Sequence, residues 1–249
     1  MYPILFKLGP LTIYTYGFMV FLGVISGYYL ALNQAVKKGV KSEVFSDMFF
    51  WSLLWGFVGA RLFYIIIEGE YFLQDPWGML FGRSGFVFYG GILTGLAVLY
   101  FLSRRHKIKF FDLLDALSPG VAFGHALGRV GCFFYGCCYG GPTNSWIGVL
   151  FPADSPAGQC GVKLIPTQLI EAAFLLLLFL ILFVLNRFRK YSGQTAAIYL
   201  ILYGAFRFVI EFFRADPRGQ FLGLATSQWI SLGVLVFTGL AAAAARKTK

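Results

Sequence analysis

The residues of greatest chemical interest are ionisable groups set inside apolar stretches. Arg61, Arg129 and Arg207 each interrupt such a run, and Tyr203, Arg207 and Glu211 are spaced four residues apart. At 3.6 residues per helical turn that spacing puts all three on one face. A charge buried in an apolar helix is costly and ordinarily turns toward the bundle interior or water. Three guanidiniums at similar depth outnumber the single carboxylate beside them, so a cationic cavity is expected. The planar guanidinium fork suits a phosphate, and a lipid headgroup would supply one. Two plainer readings stay open: Arg207–Glu211 as an ion pair that stabilises the bundle, and Arg129 snorkelling to headgroups.

Further polar groups flank these. Tyr16 and Tyr89 open two of the apolar runs and are each followed by glycine (Gly17; Gly90 and Gly91). They read either as interfacial aromatics or as residues beside a close approach of backbone or ligand. Asp112 reads as compensation for a helix N-terminus, and Asp115, one turn deeper, as an internal partner. Three of the four cysteines, Cys132, Cys137 and Cys138, follow Arg129 within GRVGCFFYGCCYGG at 128–141, and Cys160 lies further on. Their C-x4-CC spacing is not a standard zinc pattern, even with His125 nearby, so no metal is expected. The absence of CxxC argues against a thiol oxidoreductase.

Helices must position these groups. Of 249 residues 58% are hydrophobic and 13% charged, against roughly 25% charged in soluble domains. The net charge of +10 in so apolar a chain reads as topogenic loop charge rather than a nucleic-acid surface. Seven stretches approach the length needed to span a bilayer: 11–35, 44–67, 85–103, 111–134, 166–186, 194–214 and 224–245. Basic residues cluster after the first, third, fifth and seventh, at Lys37/Lys38/Lys41, Arg104/Arg105/Lys107/Lys109, Arg187/Arg189/Lys190 and Arg246/Lys247/Lys249. The loop 68–83 has Glu68, Glu70 and Asp75 against Arg83, and 135–165 has only Asp154 and Lys163. The expected fold is therefore all-α: one polytopic domain over 1–249 with seven transmembrane helices. Its N-terminus would be periplasmic, its C-terminus cytoplasmic, and 135–165 a long external loop. No cleavable signal peptide is expected at the N-terminus.

The blocks YGF (16–18), GARLFY (59–64), FYGG (88–91), GRVGCF (128–133), GxxT (140–143), PTQLIEA (166–172) and YGAFRFVIEFFR (203–214) resemble, in order, the bacterial prolipoprotein diacylglyceryl transferase family. The resemblance implies transfer of the diacylglyceryl group of phosphatidylglycerol to the lipobox cysteine of a preprolipoprotein. A thioether forms, glycerol phosphate leaves, and no cofactor takes part. It places the chain in the bacterial plasma (inner) membrane with its site open to the outer leaflet. It implies that Arg129 and Arg207 bind the lipid phosphate and that Glu211 fixes Arg207. Tyr16, Arg61, Tyr203, Gly90, Gly91, Gly128 and Asp115 join them on the substrate-binding side.

The chain departs from the family signature GRxGNFxNxExxGxxT. Cys132 stands at its Asn, Cys137 at its Glu, and Tyr89 where well-known members have His. The nucleophilic sulfur belongs to the substrate and must become a thiolate, so some other group has to activate it: Tyr89, Glu211 or His125. Tyr89 is expected with Arg129, Arg207 and Glu211 in the catalytic set. On an oxidising external face the four cysteines are expected to brace the loop as disulfides. A diverged acceptor, or a membrane thiol-redox or metal-binding protein on the same scaffold, are the alternatives.

Overall fold

Where Leu, Phe, Val and Ala run on without a breaker, the chain becomes helix. The computed structural model describes residues 3–9, 11–82, 85–216 and 219–247. Arg83 and Lys249, counted among the loop charges, lie outside them. Nine helices are formed by the described residues: α1 (Thr15–Val36), α2 (Ser42–Ile67), α3 (Gly69–Gln74), α4 (Pro76–Phe81), α5 (Phe88–Arg105), α6 (Phe110–Tyr135), α7 (Thr167–Leu185), α8 (Gln194–Ile210) and α9 (Thr226–Lys247). Four stretches, Thr15–Val36, Ser42–Ile67, Thr167–Leu185 and Gln194–Phe213, are long and apolar enough to cross a membrane, and Thr226–Ala241 is a shorter apolar helix. The chain is a multi-pass, mostly helical membrane protein. It divides into two compact units, one of residues 1–31 and 114–249, the other of 32–113.

In the first unit α1 and α6 cross through glycine. Gly23 and Gly27 on α1 meet Gly124 and Gly120 on α6, an antiparallel match of two GxxxG faces. A Cβ at Gly23 would stand 2.7 Å from the Gly124 carbonyl oxygen, and one at Gly27 would stand 2.9 Å from that of Gly120. In lipid, where apolar burial gives no net drive between helices, such backbone proximity supplies the packing. Further along the same seam Gly131 rests on Tyr16 and Met19. Helices α6, α7 and α8 share a core of Ala122, Leu178 and Leu182, with Phe174, Phe179, Ile198, Tyr199 and Tyr203 around it.

Asp115 lies at the start of this bundle and is fully buried. Its Oδ2 accepts from Arg189 Nη1 and the Gly193 amide, both at 2.8 Å, and its Oδ1 accepts from the Ala196 amide at 2.9 Å. Helix α8 begins after Gly193 (φ 87°) without a side-chain cap of its own. A carboxylate from α6 thus satisfies its orphan N–H groups. Asp115, expected on the substrate-binding side, is engaged here as a remote helix cap.

In the second unit α2 packs on α5 through Gly56, Ala60, Gly91 and Gly95, and Gly90 lies against Phe63. Gly90 and Gly91, expected beside substrate, form this helix contact. Arg61 donates from Nη1 to the Gly85 carbonyl at 2.8 Å and lies over the rings of Tyr64 and Phe86, at 5.6 and 5.3 Å. Tyr89 is exposed in the first turn of α5 and meets the Phe88 ring edge-on.

The structure corrects an all-α reading in detail. Ile4–Leu8 and Leu11–Tyr14 pair as an antiparallel hairpin, so the first helix begins at Thr15 and not at 11. Two-residue strands at 220–221 and 224–225 make a second hairpin, and the loop 68–83 folds into α3 and α4. Replacing Gly124 by Leu should lower stability by about 1–3 kcal/mol in detergent thermal unfolding. Gly233→Ala, where a Cβ meets nothing within 4 Å, should leave the midpoint unchanged or slightly raised.

Candidate active site

The centre of the site is a carboxylate that the reading of the arginines left out. Helix α7 opens after Pro166 with Thr167, Gln168 and Glu171, all essentially without solvent exposure. Glu171 Oε1 lies 3.0 Å from Arg129 Nη2 and accepts the Tyr203 hydroxyl at 2.9 Å. His125 Nε2 stands 4.0 Å from the same oxygen, and its ring meets Tyr203 edge-on at 4.9 Å between centroids. Tyr203 in turn stacks on Tyr199 at 5.8 Å. One oxygen therefore gathers groups from α6, α7 and α8. A lone ionic group buried this deeply needs such partners.

The second cluster is at the far end of α8. Arg207 Nη1 is in direct contact with Glu211 Oε2. The chain then turns through Glu211–Phe213 as a 3-10 helix and delivers Arg214 back to the cluster. Arg214 Nε lies 4.0 Å from Glu211 Oε2, and its fork donates to both oxygens of Asp216, at 3.0 and 3.2 Å. Both Arg129 and Arg207 are close enough to His125 and Tyr203 to act on them electrostatically. In this unit Arg129, Arg207 and Arg214 are matched by Glu171, Glu211 and Asp216. The expected excess of arginine over carboxylate gives way to a balanced set, each guanidinium oriented by an acid.

The cysteine turn sits one helical turn beyond Arg129. Helix α6 ends with the Gly136 and Cys137 amides both donating to the Cys132 carbonyl, at 2.9 and 3.2 Å, with Gly136 in the left-handed region (φ 81°). This is a Schellman-type ending, and it folds Cys137 back over Cys132. Cys138 also takes a positive φ, 64°, unusual for a residue with a side chain. Two side chains from α7 hold the turn: Gln168 Nε2 donates to the Cys137 carbonyl at 2.7 Å and Thr167 Oγ1 to that of Cys138 at 2.8 Å. The three sulfurs lie within 4.8 Å of one another. Hydrogen bonds from the Cys132 and Cys137 thiols, helped by the Arg214 and Arg129 charges, pull the Cys138 thiol well below its usual range, while Cys132, Cys138 and burial push Cys137 up.

No disulfide joins Cys132, Cys137, Cys138 or Cys160 in this structure. The loop is held instead by backbone bonds, among them Gly140 N to the Ile165 carbonyl and Val149 N to that of Leu164. It also has a core of its own in Phe151, Ala157 and Leu164. Cys160 stands apart, exposed and beside Tyr139.

Of the residues singled out from sequence, Arg129, Arg207, Glu211, Tyr203, Tyr16 and the cysteine trio are in the first unit. Tyr16 pairs with Tyr135 at 6.5 Å and lies within electrostatic range of Arg129 and the three thiols. Gly128 leaves open space where a side chain would be. Arg61, Tyr89, Gly90 and Gly91 belong to the second unit. Glu171 was legible in principle: it is the only charged residue between Pro166 and Leu185, and a lone acid in such a run asks for a buried cation. The family model for prolipoprotein diacylglyceryl transferase matches residues 3–244.

The chain belongs to the prolipoprotein diacylglyceryl transferase family.

Curated relatives agree along nearly the whole length. A phosphatidylglycerol–prolipoprotein diacylglyceryl transferase 2 of Clostridium perfringens is 39% identical over 228 residues, covering 91% of this chain and 88% of the relative. The corresponding transferase of Clostridium tetani is 36% identical over 242 residues, 95% and 97% of the two chains. That of Streptococcus mutans is 36% identical over 244 residues, 96% and 92%. The blocks that carried the resemblance to this transferase family now have places. GRVGCF lies in the last turns of α6, PTQLIEA opens α7, and YGAFRFVIEFFR closes α8.

Glu171→Ala strands the buried part of the Arg129 charge and the Tyr203 hydroxyl together. Unfolding in detergent should show a loss of about 3 kcal/mol, with Tyr203→Phe costing about 1 kcal/mol. The double change Arg129→Met with Glu171→Leu should recover much of the first loss, since neither charge remains to be compensated.

Proposed function

We propose that this transferase moves the diacylglyceryl group of phosphatidylglycerol onto the lipobox cysteine of a preprolipoprotein, forming a thioether and releasing glycerol phosphate. The names of the relatives supply the two substrates. The observation that carries the reading to particular residues is the pair of acid-clamped guanidiniums, Arg129 on Glu171 and Arg207 on Glu211. A guanidinium has five N–H donors, and a carboxylate that engages one edge leaves the others to grip phosphate in a fixed orientation. Charge on the departing phosphate grows as the C–O bond breaks, and preoriented cations stabilise that growth more than they stabilise the bound lipid.

In this reading the whole chain, 1–249, acts as one seven-span domain of the bacterial inner membrane. Its N-terminus is periplasmic, its C-terminus cytoplasmic, and the site opens to the outer leaflet. The alternating basic loops support that orientation. Helices α5, α6 and α9, which coincide with three of the seven apolar stretches, supply the spans beyond the four apolar segments. Tyr16 and Gly128 line the acceptor side beside Arg129, and Tyr203 holds Glu171 in place. Arg61, Tyr89, Gly90 and Gly91, all in the second unit, are the remaining substrate-side residues in this reading.

The test is thioether formation on a fluorescent lipobox peptide in phosphatidylglycerol vesicles, with glycerol phosphate measured in parallel. Arg129→Ala and Arg207→Ala should each cut turnover by about 100-fold or more, and Glu211→Ala by a similar order. Near-normal turnover in a folded Arg207→Ala protein would remove the phosphate-binding assignment.

A further inference from the structure

The cysteine trio has a form that suits a cation. Three sulfurs lie within 4.8 Å of one another, and among the described residues no fourth His, Cys, Asp or Glu ligand joins them. Tetrahedral zinc, with bonds to sulfur of about 2.3 Å, separates its sulfurs by about 3.8 Å, so small side-chain rotations close the group on one ion. The turn is built to keep that cluster: a Schellman ending, two residues at positive φ and two α7 side chains hold it. Disulfides cannot consume an odd trio, and Cys160 is not in the cluster. Cations stand beside it. Arg214 lies against the Cys138 thiol, and Arg129 is one turn before Cys132.

We propose that Cys132, Cys137 and Cys138 bind Zn2+ as a three-thiolate site whose open fourth position takes the acceptor cysteine sulfur. Three protein ligands with one position free is the pattern of catalytic zinc, and a thiol bound to zinc is deprotonated outright. This supplies the thiol activation that no nearby carboxylate or imidazole of the family signature provides here, and it rests on the diacylglyceryl-transfer reading. Loading releases the three cysteine protons to solvent, and binding of the acceptor releases its own. The acceptor sulfur then forms an S–C bond to the glyceryl carbon. The C–O bond to phosphate breaks, and its electron pair leaves on glycerol phosphate held by Arg129 and Arg207. Nothing is oxidised or reduced. The thioether, neutral and a weaker ligand, vacates the position. Four thiolates on one divalent ion carry a formal charge of about −2, and the guanidiniums beside it, Arg129 and Arg214, share their charge between it and their own acids, Glu171 and Asp216.

The experiment uses the full chain in detergent with reductant present and the affinity tag removed. Mass spectrometry of metals should find about one zinc per chain, absent from Cys137→Ser and Cys138→Ser. Exchange with Co2+ should give a thiolate-to-cobalt charge-transfer band that a lipobox peptide intensifies and its Cys→Ser counterpart does not. Chelation should lower transfer roughly 100-fold or more, restored by Zn2+. Arg207→Ala should lose transfer and keep the band. If the serine variants do not fold, the wild-type metal content and band decide alone. A metal-free wild type with no cobalt band, a disulfide within the trio on peptide mapping, or a band indifferent to the cysteine peptide overturns the proposal. Transfer that persists without metal uptake refutes the zinc site alone. A peptide-sensitive band with no transfer refutes the reaction reading alone.

Discussion

A carboxylate with 1% exposure, the one charged residue of the apolar helix α7, is the constraint around which the first unit is arranged. A carboxylate at that depth needs a cation and hydrogen bonds around it. Arg129 and Tyr203 supply them, one from α6 and one from α8. Because all three helices must present these groups at one point, the carboxylate sets their rotation about their own axes. The turn of α7 just before it, through Thr167 and Gln168, also holds the backbone of the cysteine turn. Ion-pair site and thiol cluster thus share one support.

Pairing each guanidinium with its own acid changes what kind of anion site this is. An unpaired cluster of arginines would bind any anion by net field, and it would be strongly self-repulsive in a medium of low dielectric. Clamped arginines repel one another less and present fixed N–H directions. Recognition then rests on geometry, which is what a phosphate with several acceptor oxygens can exploit.

Much of this was visible in the residues. Apolar length placed the helices to within a few positions, because in an apolar environment a backbone that satisfies its own hydrogen bonds has few other forms. The i, i+4, i+8 pattern placed Tyr203, Arg207 and Glu211 together, and the contact of Arg207 with Glu211 follows from helical geometry alone. The partner of Arg129 was not visible in that way, since Glu171 is 42 residues later and no local period connects them. The hairpin at 4–14 was hidden for another reason: Leu11–Tyr14 continues the apolar run, and hydrophobicity does not separate strand from helix over so few residues. The small core that Phe151, Ala157 and Leu164 give the loop 135–165 was not visible either, because these three residues are scattered among Gly and Pro with no period. Spacing in sequence also concealed the thiol cluster. C-x4-CC is an unusual ligand pattern along the chain, and only the reversal at Gly136 makes it compact in space.

The cap that Asp115 places on α8 also acts as a length standard. Helices α6 and α8 both depart from it: Arg129 is 14 residues beyond Asp115, and Arg207 is 11 beyond Ala196. At 1.5 Å per residue these are rods of about 21 and 16 Å with a common origin. The relative height of the two guanidiniums is therefore counted out from a point remote from either. Removing one residue from one rod would drop its arginine by about 1.5 Å and swing it by about 100°, away from its acid, although every residue near the site kept its identity. Insertions and deletions are consequently far less tolerable along these rods than in the loops they join.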